Sequence, residues 1–459
     1  MNRSWPVHGD SRWRGAGEQG DNSVSAVTSP MMLSSLALVA DSDQAFTLRI
    51  TLARLARRTL DVQYYIWDDD TTGKLLIYRV LEAARRGVKV RMLLDHANQL
   101  GRDVKWAALD AHPNIEVRLF NAFRGRYKHV LQWLHHMPLL NHRMHNKAWI
   151  VDGERAIVGG RNIADHYFGV NASTNFRDLD LYARGPIVAD TQAAFDCYWD
   201  SPLAMPMKTL RRYRESAAER VWQWLRQWRR SLKNYPYLFP QHEAFFTDYL
   251  AGQDRQCVQA HAVLLFDSPD KAAGVKQTLM GDQLAHLLAR DDHQELLMEA
   301  SYFIPGDAFV AELAEMKQRG GRAAVLTNSL ATNDGIAAHG AYARYRDGLL
   351  EAGVELHELK ANARALHRQV RLFKGRSRAS LHTKAMVLDR REVFVGSFNI
   401  DPRSVHLNTE MGYYVVSEEL GQQVAAFIEE GLAPENSYRV DNEQGTLTWA
   451  GDGPDGRPL

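Results

Sequence analysis

The chain has 459 residues, of which 45 % are hydrophobic and 24 % charged, and its formal net charge is +1. That is ordinary globular composition in a length that accommodates two or three domains with large buried cores. A charge so close to zero excludes a global basic field for nucleic acid, so an anionic substrate has to be attracted by local charge.

Residues 1–27 are rich in Gly, Ser and charge without apolar periodicity and read as a flexible N-terminus. The apolar stretch "PMMLSSLALVA" (30–40) is too short to span a bilayer and lacks the flanks of a secretory signal. "TLDVQYYIW" (59–67) has the β-branched and aromatic content of a buried strand. "GKLLIYRVLEAARRG" (73–87) has helical spacing and a terminal Gly, and "VKVRMLLDH" (88–96) returns to strand character. The alternation predicts an α/β fold built of βαβ units, with a mixed, mostly parallel sheet flanked by helices. The same order returns in "ELLMEASYFI" (295–304), "FVAELAEMKQRGG" (309–321) and "RAAVLTNS" (322–329). A repeat this long predicts two similar, pseudosymmetric domains rather than a solenoid.

The expected organisation is a first domain over 28–205, a basic Trp-rich connecting helix within 206–252, a second domain over 253–440 and a C-terminal tail over 441–459. In the connecting segment Val221, Trp224, Leu225, Trp228 and Leu232 share one helical face, while Arg226, Arg229, Arg230 and Lys233 lie elsewhere. Two readings stay open there: an interfacial helix on an anionic membrane, and a connector whose Trp face packs on a domain. Cys197 and Cys257 sit in no metal or disulfide pattern and read as buried free thiols.

The chemistry is concentrated in a duplicated frame. "HNKAWIVDGERAIVGGRN" (145–162) places His145, Lys147, Asp152, Gly159, Gly160 and Asn162 at spacings that "HTKAMVLDRREVFVGSFN" (382–399) reproduces with His382, Lys384, Asp389, Gly396, Ser397 and Asn399. Every matched pair is 237 residues apart. His and Lys two positions apart on a strand point to one side, so each copy offers an imidazole and an ammonium to a common space. Glycines let the backbone turn closely and present the Asn beside them. Packed about a pseudo-twofold, two His, two Lys and two Asn converge into a set suited to a tetrahedral or pentacoordinate phosphoryl centre.

These frames resemble the HKD signatures of the phospholipase D superfamily. "LDVQYYIW", "LNHRMHNK", "GGRNIAD", "FRDLDLYARGP" and "GSFNIDPRS…NTEMGYYV" further resemble bacterial cardiolipin synthases, most of all the short type without transmembrane anchors, over roughly residues 30–440. The resemblance implies two phospholipase D-like domains with the active site at their interface, and a metal-independent reaction in which one His forms a phosphohistidine while the other protonates the departing alcohol. By that analogy His145 is the nucleophile and His382 the acid, and Lys147, Lys384, Asn162 and Asn399 hold phosphoryl oxygens. It also implies carboxylates that orient the two His, at Asp178 (with Asp180 as competitor) and Glu410. Asp152 and Asp389 complete the motif-derived catalytic set, although they suit a turn-organising role better than phosphate contact.

Basic loops precede both frames, "FRGRYKH" (123–129) and "RQVRLFKGRSR" (368–378), with Arg143 and Arg378 nearest the site. They suit either phosphate headgroups or plain solvent. "VLQWLHHMPLL" (130–140) suits either acyl chains or core packing. His135, His136 and His166 are not grouped with other ligands, and no metal or cofactor is assigned. No nucleotide-binding motif is present.

The expected function is cardiolipin synthesis by phosphatidyl transfer, with phosphatidylglycerol and phosphatidylethanolamine as candidate lipids. Hydrolysis by the same site is the first alternative, a superfamily nuclease the second and an inactive membrane scaffold the third. Nucleic acid is not an expected partner; an anionic membrane surface is, and an accessory protein is left open. The lack of a signal sequence places the enzyme peripherally on the cytoplasmic side of a bacterial inner membrane.

Overall fold

Strand Thr59–Tyr64 and strand Lys89–Asp95 are buried on both faces over most of their length, so each needs helices to cover it. Helices Ser42–Leu55 and Thr71–Arg85 supply that cover in the first half. Asp70 caps the second of them by accepting from the Gly73 amide at 2.9 Å. These elements belong to a computed structural model that describes residues 33–122, 141–232, 235, 237, 239–275, 279–290, 292–333, 335–363 and 377–452.

In the first half the strands are β1 (Ser34–Val39), β2 (Thr59–Tyr64), β3 (Lys89–Asp95), β4 (Ile115–Phe120), β5 (Ala148–Val151), β6 (Arg155–Gly159), β7 (Thr174–Arg177), β8 (Asp180–Arg184) and β9 (Ala204–Pro206). In the second they are β10 (Val258–Phe266), β11 (Glu295–Ala300), β12 (Arg322–Asn328), β13 (Glu355–Leu359), β14 (Arg378–Leu381), β15 (Lys384–Leu388), β16 (Glu392–Gly396), β17 (Met411–Val416), β18 (Ser437–Glu443) and β19 (Thr446–Ala450).

Hydrogen bonding orders the first half as β9-β4-β3-β2-β5-β6-β8-β1. The second half mirrors it as β10-β17-β16-β15-β11-β12-β13-β18-β19. An antiparallel pairing of β1 with β10 (Ser35 opposite Gln259) joins the halves into one mixed sheet of 17 strands. Within it, parallel pairing is confined to β2-β3-β4 and β11-β12-β13, where helices make the crossovers. The motif strands instead return through tight hairpins and pair antiparallel. Left-handed residues make those turns, Asp152 and Gly153 (φ 57° and 65°) in one and Asp389 and Arg390 (φ 51° and 53°) in the other.

The two halves meet over a shared core. Met144, Ala148, Val158 and Leu181 from the first pack with Leu297, Ala379, Val395 and Tyr413 from the second. The Thr191 and Tyr413 hydroxyls hydrogen bond across that core at 2.7 Å.

Two expectations need correction. The expected tail over 441–459 is part of the second domain as far as it is described, because β18 continues to Glu443 and turns through Gln444 and Gly445 (φ 55° and 86°) into β19. The connecting segment is not one helix: it holds a single turn, Met207–Leu210, then the longer helices Ser216–Ser231 and Glu243–Arg255. Helix Ser216–Ser231 packs on the first domain through Leu225, Val221 and Trp228, and through Trp222, which stacks on Tyr78 with ring centroids 4.8 Å apart. Trp224 faces solvent, 51 % exposed. Among the described residues no helix is long and apolar enough to cross a membrane. The stretches 1–27, 123–129, 130–140 (with His135 and His136) and 368–376, and also Lys233, lie outside the described residues.

Candidate active site

The segment just before β5 carries His145 and Lys147, His382 stands two residues before β15, and Lys384 opens that strand. Each His is hooked by backbone bonds to the opposite domain. The His145 amide donates to the Thr409 carbonyl (2.9 Å), and the Thr409 amide donates back to Arg143 (2.9 Å). The His382 amide donates to the Arg177 carbonyl at 2.8 Å. These hooks bring the residue after each acceptor, Glu410 or Asp178, beside the imidazole of the other half.

The result is a pair of crossed dyads. His145 Nδ1 lies 2.8 Å from Glu410 Oε2, and His382 Nδ1 lies 2.6 Å from Asp178 Oδ2. With Nδ1–H donated to a carboxylate, Nε2 is the nitrogen left for chemistry. All four of these side chains are buried. Lys147 Nζ donates to the His145 carbonyl, and Lys384 Nζ to the His382 carbonyl at 2.5 Å, which aims both ammonium groups along their own strands' site face.

Burial and mutual repulsion dominate the electrostatics. His145 is pushed down to about 4, chiefly by burial and with help from the Lys147 and Lys384 charges, while Glu410 opposes the shift. His382 is held well below its ordinary value by burial, then by Lys384, Lys147 and His145. Burial likewise drives Lys147 well down, aided by Lys384. Burial and mutual repulsion thus favour the neutral forms of these basic groups, and a phosphodiester anion beside them would favour the protonated ones.

The carboxylates differ. Burial opposes ionisation of Glu410, yet His145, Lys147 and Ser397 together hold it below the usual range. It accepts from Ser397 Oγ (2.5 Å) and Ser404 Oγ (2.9 Å) besides the imidazole. Asp178 is pushed up by burial despite the nearby cations, and its second oxygen accepts from the Leu179 amide at 2.8 Å. Its competitor Asp180 belongs to a different network, with Arg49 at 2.9 Å and Arg161 at 3.3 Å.

Asn162 and Asn399 flank the dyads. Asn162 accepts from the Ile66 amide (3.1 Å) and donates to the Tyr167 hydroxyl (2.9 Å), and Asn399 accepts from Ser301 Oγ at 2.8 Å. Arg143 is buried against Asp95 at 3.2 Å, and Arg378 opens β14 with an exposed side chain.

The motif aspartates, expected within the catalytic set, stand elsewhere. Asp152 lies about 16 Å along β5 from Lys147 at strand rise, and its carboxylate accepts from the amides of Arg57, Arg58 and Thr59. Asp389 does the same for Gln294 and Glu295 (2.8 and 2.9 Å) and meets His293 Nδ1 at 2.7 Å. A carboxylate turned onto the start of a neighbouring strand cannot also reach the phosphoryl pocket.

Several contributors were not singled out from sequence. Asp95 holds the Met144 amide at 2.9 Å, and Asn328 clasps both backbone groups of Leu381 at 2.8 Å, so each fixes the residue before a catalytic His. Their signal is their place at the C-terminal ends of β3 and β12. Tyr65 meets the His145 ring edge-on at 5.1 Å, and Tyr167 and Phe176 enclose His382 at 4.8 and 5.2 Å.

The same residues lie within segments that match a known family. The model described as "Cardiolipin synthase, PLD-like domain" matches residues 50–199 and 289–431, which contain both frames and both carboxylates. The chain belongs to this phospholipase D-like cardiolipin synthase family. Cardiolipin synthase C of Escherichia coli is 41 % identical over 412 residues, covering 88 % of this chain and 86 % of that protein. An uncharacterised Helicobacter pylori protein (strain 26695) is 33 % identical over 81 % of this chain and 74 % of its own. Among solved structures, phosphatidylserine synthase of Haemophilus influenzae shares the fold with a TM-score of 0.58 at 15 % identity, covering 87 % of each chain.

Proposed function

We propose that this enzyme transfers a phosphatidyl group from one phospholipid to the hydroxyl of another, with phosphatidylglycerol serving both roles to give cardiolipin. The observation that carries this is the crossed pair of His–carboxylate dyads, whose two imidazoles lie close enough to Lys147 and Lys384 for these charges to act on both. His145 Nε2 attacks phosphorus, the bond to the departing glycerol oxygen breaks, and protonated His382 gives that oxygen its proton. The acceptor hydroxyl then loses its proton to His382 as its oxygen displaces His145. Lys147, Lys384 and the amide groups of Asn162 and Asn399 bind the phosphoryl oxygens.

The unequal carboxylates support this assignment of roles. Glu410, ionised and held by three side-chain donors, favours the imidazolium that forms as His145 becomes phosphorylated. Asp178, pushed up by burial, backs His382 less strongly and leaves its imidazolium a stronger acid. Exposed Trp224 stacks 6.1 Å from Trp228 on a helix that also exposes Arg226 and Arg230, which suits peripheral attachment to an anionic bilayer.

Purified protein incubated with phosphatidylglycerol and phosphatidylethanolamine vesicles tests the reading by mass spectrometry. Cardiolipin from the wild type, and from neither His145→Ala nor His382→Ala, is the expected result; ethanolamine release alongside would make phosphatidylethanolamine the donor. Phosphatidic acid as the sole product would overturn transfer in favour of hydrolysis.

A further inference from the structure

A cavity of about 350 Å³ lies between the domains, lined by Phe176 and His166 on one side and by Thr332, Asn333 and Arg378 on the other, and the Phe176 ring that lines it stacks on His382 at 5.2 Å. Its floor is the two-stranded parallel ribbon of β7 and β14. On that ribbon Arg378 stands opposite Thr174 and Ser380 opposite Phe176. One step further His382 meets Asp178. Residues two apart on a strand share a face, so Arg378, Ser380 and His382 form one row leading from the cavity mouth to the catalytic imidazole. The row is about 13 Å long at strand rise, the span of a three-carbon glycerol bridge plus an outstretched arginine.

The equivalent place beside His145 is closed. Asn141 stands 237 residues before Arg378, and Arg403 occupies it with bonds to the Asn141 side chain (2.8 Å) and carbonyl (3.1 Å). Among the described residues a single bridge, Met144 with Thr409, replaces the ribbon there. Among the described residues no carboxylate pairs with Arg378. Among the described residues, one side of the reaction centre thus has a polar, aromatic-walled chamber with an exposed guanidinium, and Arg403 fills the matching place on the other.

We infer that this chamber receives the anionic glycerophosphoryl headgroup of the acceptor lipid, with Arg378 on its phosphate and the free glycerol hydroxyl directed at His382. This rests on the reading that His382 serves the alcohol side of the reaction. The guanidinium matches a phosphodiester in charge and geometry, and the polar rim of Asn333 and Thr174 suits a polyol bridge. The chamber selects a phosphate-bearing alcohol over water or a simple alcohol, and so favours transfer to lipid.

Competition between two acceptors tests this. Phosphatidylglycerol vesicles are supplied with ethanol, and cardiolipin and phosphatidylethanol are measured together for the wild type, Arg378→Ala and Arg378→Lys. The ratio of cardiolipin to phosphatidylethanol is expected to fall roughly ten-fold in Arg378→Ala, the scale of one lost charged hydrogen bond, and to recover in part in Arg378→Lys. An unchanged ratio in Arg378→Ala overturns the inference while leaving the transferase reading intact. A wild type that makes phosphatidylethanol but no cardiolipin overturns both. Added glycerol 3-phosphate separates the sources of the headgroup: inhibition that Arg378→Ala escapes shows that soluble anions share the chamber, and a fallen ratio without inhibition restricts it to lipid.

Discussion

The two half-sites come from one repeated frame, yet they are not equivalent. Around His145 the carboxylate is a long Glu410 gripped by two serine hydroxyls, the strand beside it makes a single bridge, and the outer end is closed by Arg403. Around His382 the carboxylate is a short Asp178 with a backbone donor, a four-residue ribbon supports it, and a chamber opens beyond. The seed of the difference is one position in the frame. A Cβ at Gly160 would overlap the Asp178 carboxylate, so the first copy requires Gly, whereas the second carries Ser397, whose hydroxyl is a donor to Glu410. The repeated frame offers two acid–base groups, and on the proposed mechanism the difference at that position suits one to holding a phosphoryl group and the other to exchanging alcohols.

The largest break in the comparison is covalent. Both His145→Ala and His382→Ala are expected to lower turnover by about 10⁴-fold, as loss of a nucleophile or of its acid partner does. Only the first should abolish acid-labile labelling of quenched protein by lipid with a radiolabelled phosphate. Labelling that survives His145→Ala and vanishes in His382→Ala would reverse the roles.

Next come the carboxylates. Glu410→Gln is expected to cost roughly 10²-fold in kcat, and Asp178→Asn less, since the more strongly ionised partner contributes more to a phosphorylated imidazole. The pH profile sharpens this. His145 in the free enzyme must be neutral to attack and is pushed down to about 4, so kcat/KM should have an acid limb near that value, while the acid His382, held well below its ordinary value, should set a basic limb on the acidic side of 6.5. Glu410 raises the His145 pKa against the burial that lowers it, so Glu410→Gln should move the acid limb further down; an upward move would contradict the assignment. Stability responds with a related sign. An imidazole lowered from 6.5 to about 4 makes the unfolded chain the better proton binder between those values, so stability present above pH 6.5 is lost on acidification through that window, and His145→Ala should lose less.

Exchanging the divergent position gives smaller effects of unequal size. Gly160→Ser must displace Asp178 and should cost as much as Asp178→Asn. Ser397→Gly removes one of Glu410's donors and should cost about ten-fold or less. Equal losses would mean that the two dyads are tuned alike.

What the sequence made legible follows from locality. His, Lys and Asn lie within 18 consecutive residues of each frame, so strand geometry alone puts them together, and the βαβ order of both halves was written in their apolar runs. Which His each carboxylate serves was not legible, because Asp178 and Glu410 lie 204 and 265 residues from their partners and the crossing depends on how two domains pack. The Ser404 donor is hidden for a related reason: a short turn folds it back onto Glu410. In the connecting helix the periodicity found an apolar face but misplaced its centre. Trp222 reaches Tyr78 and Trp224 faces solvent, a choice made by the neighbouring helix surface. The β18–β19 hairpin escaped notice because its strands are short, largely exposed and carry few apolar residues.

The smallest effect on catalysis is expected where the two halves remain alike, at the turn aspartates. Asp152 and Asp389 each satisfy amides at the start of the strand paired with their own hairpin, β2 and β11, so replacing either by Asn should lower stability by about 1–3 kcal/mol through lost charged acceptors. Turnover per folded molecule should stay within about two-fold, because neither group reaches the phosphoryl pocket. Asp389 has a further signature. Burial would raise its pKa, but bonds from His293, Gln294 and Glu295 hold it below 3.8. A carboxylate lowered on folding contributes stability that is present above its unfolded pKa and lost as pH falls through the folded one. The melting-temperature difference between wild type and Asp389→Asn should therefore shrink below about pH 4. A variant that keeps its stability but loses activity would return the motif aspartate to the reaction centre and make the turn role secondary.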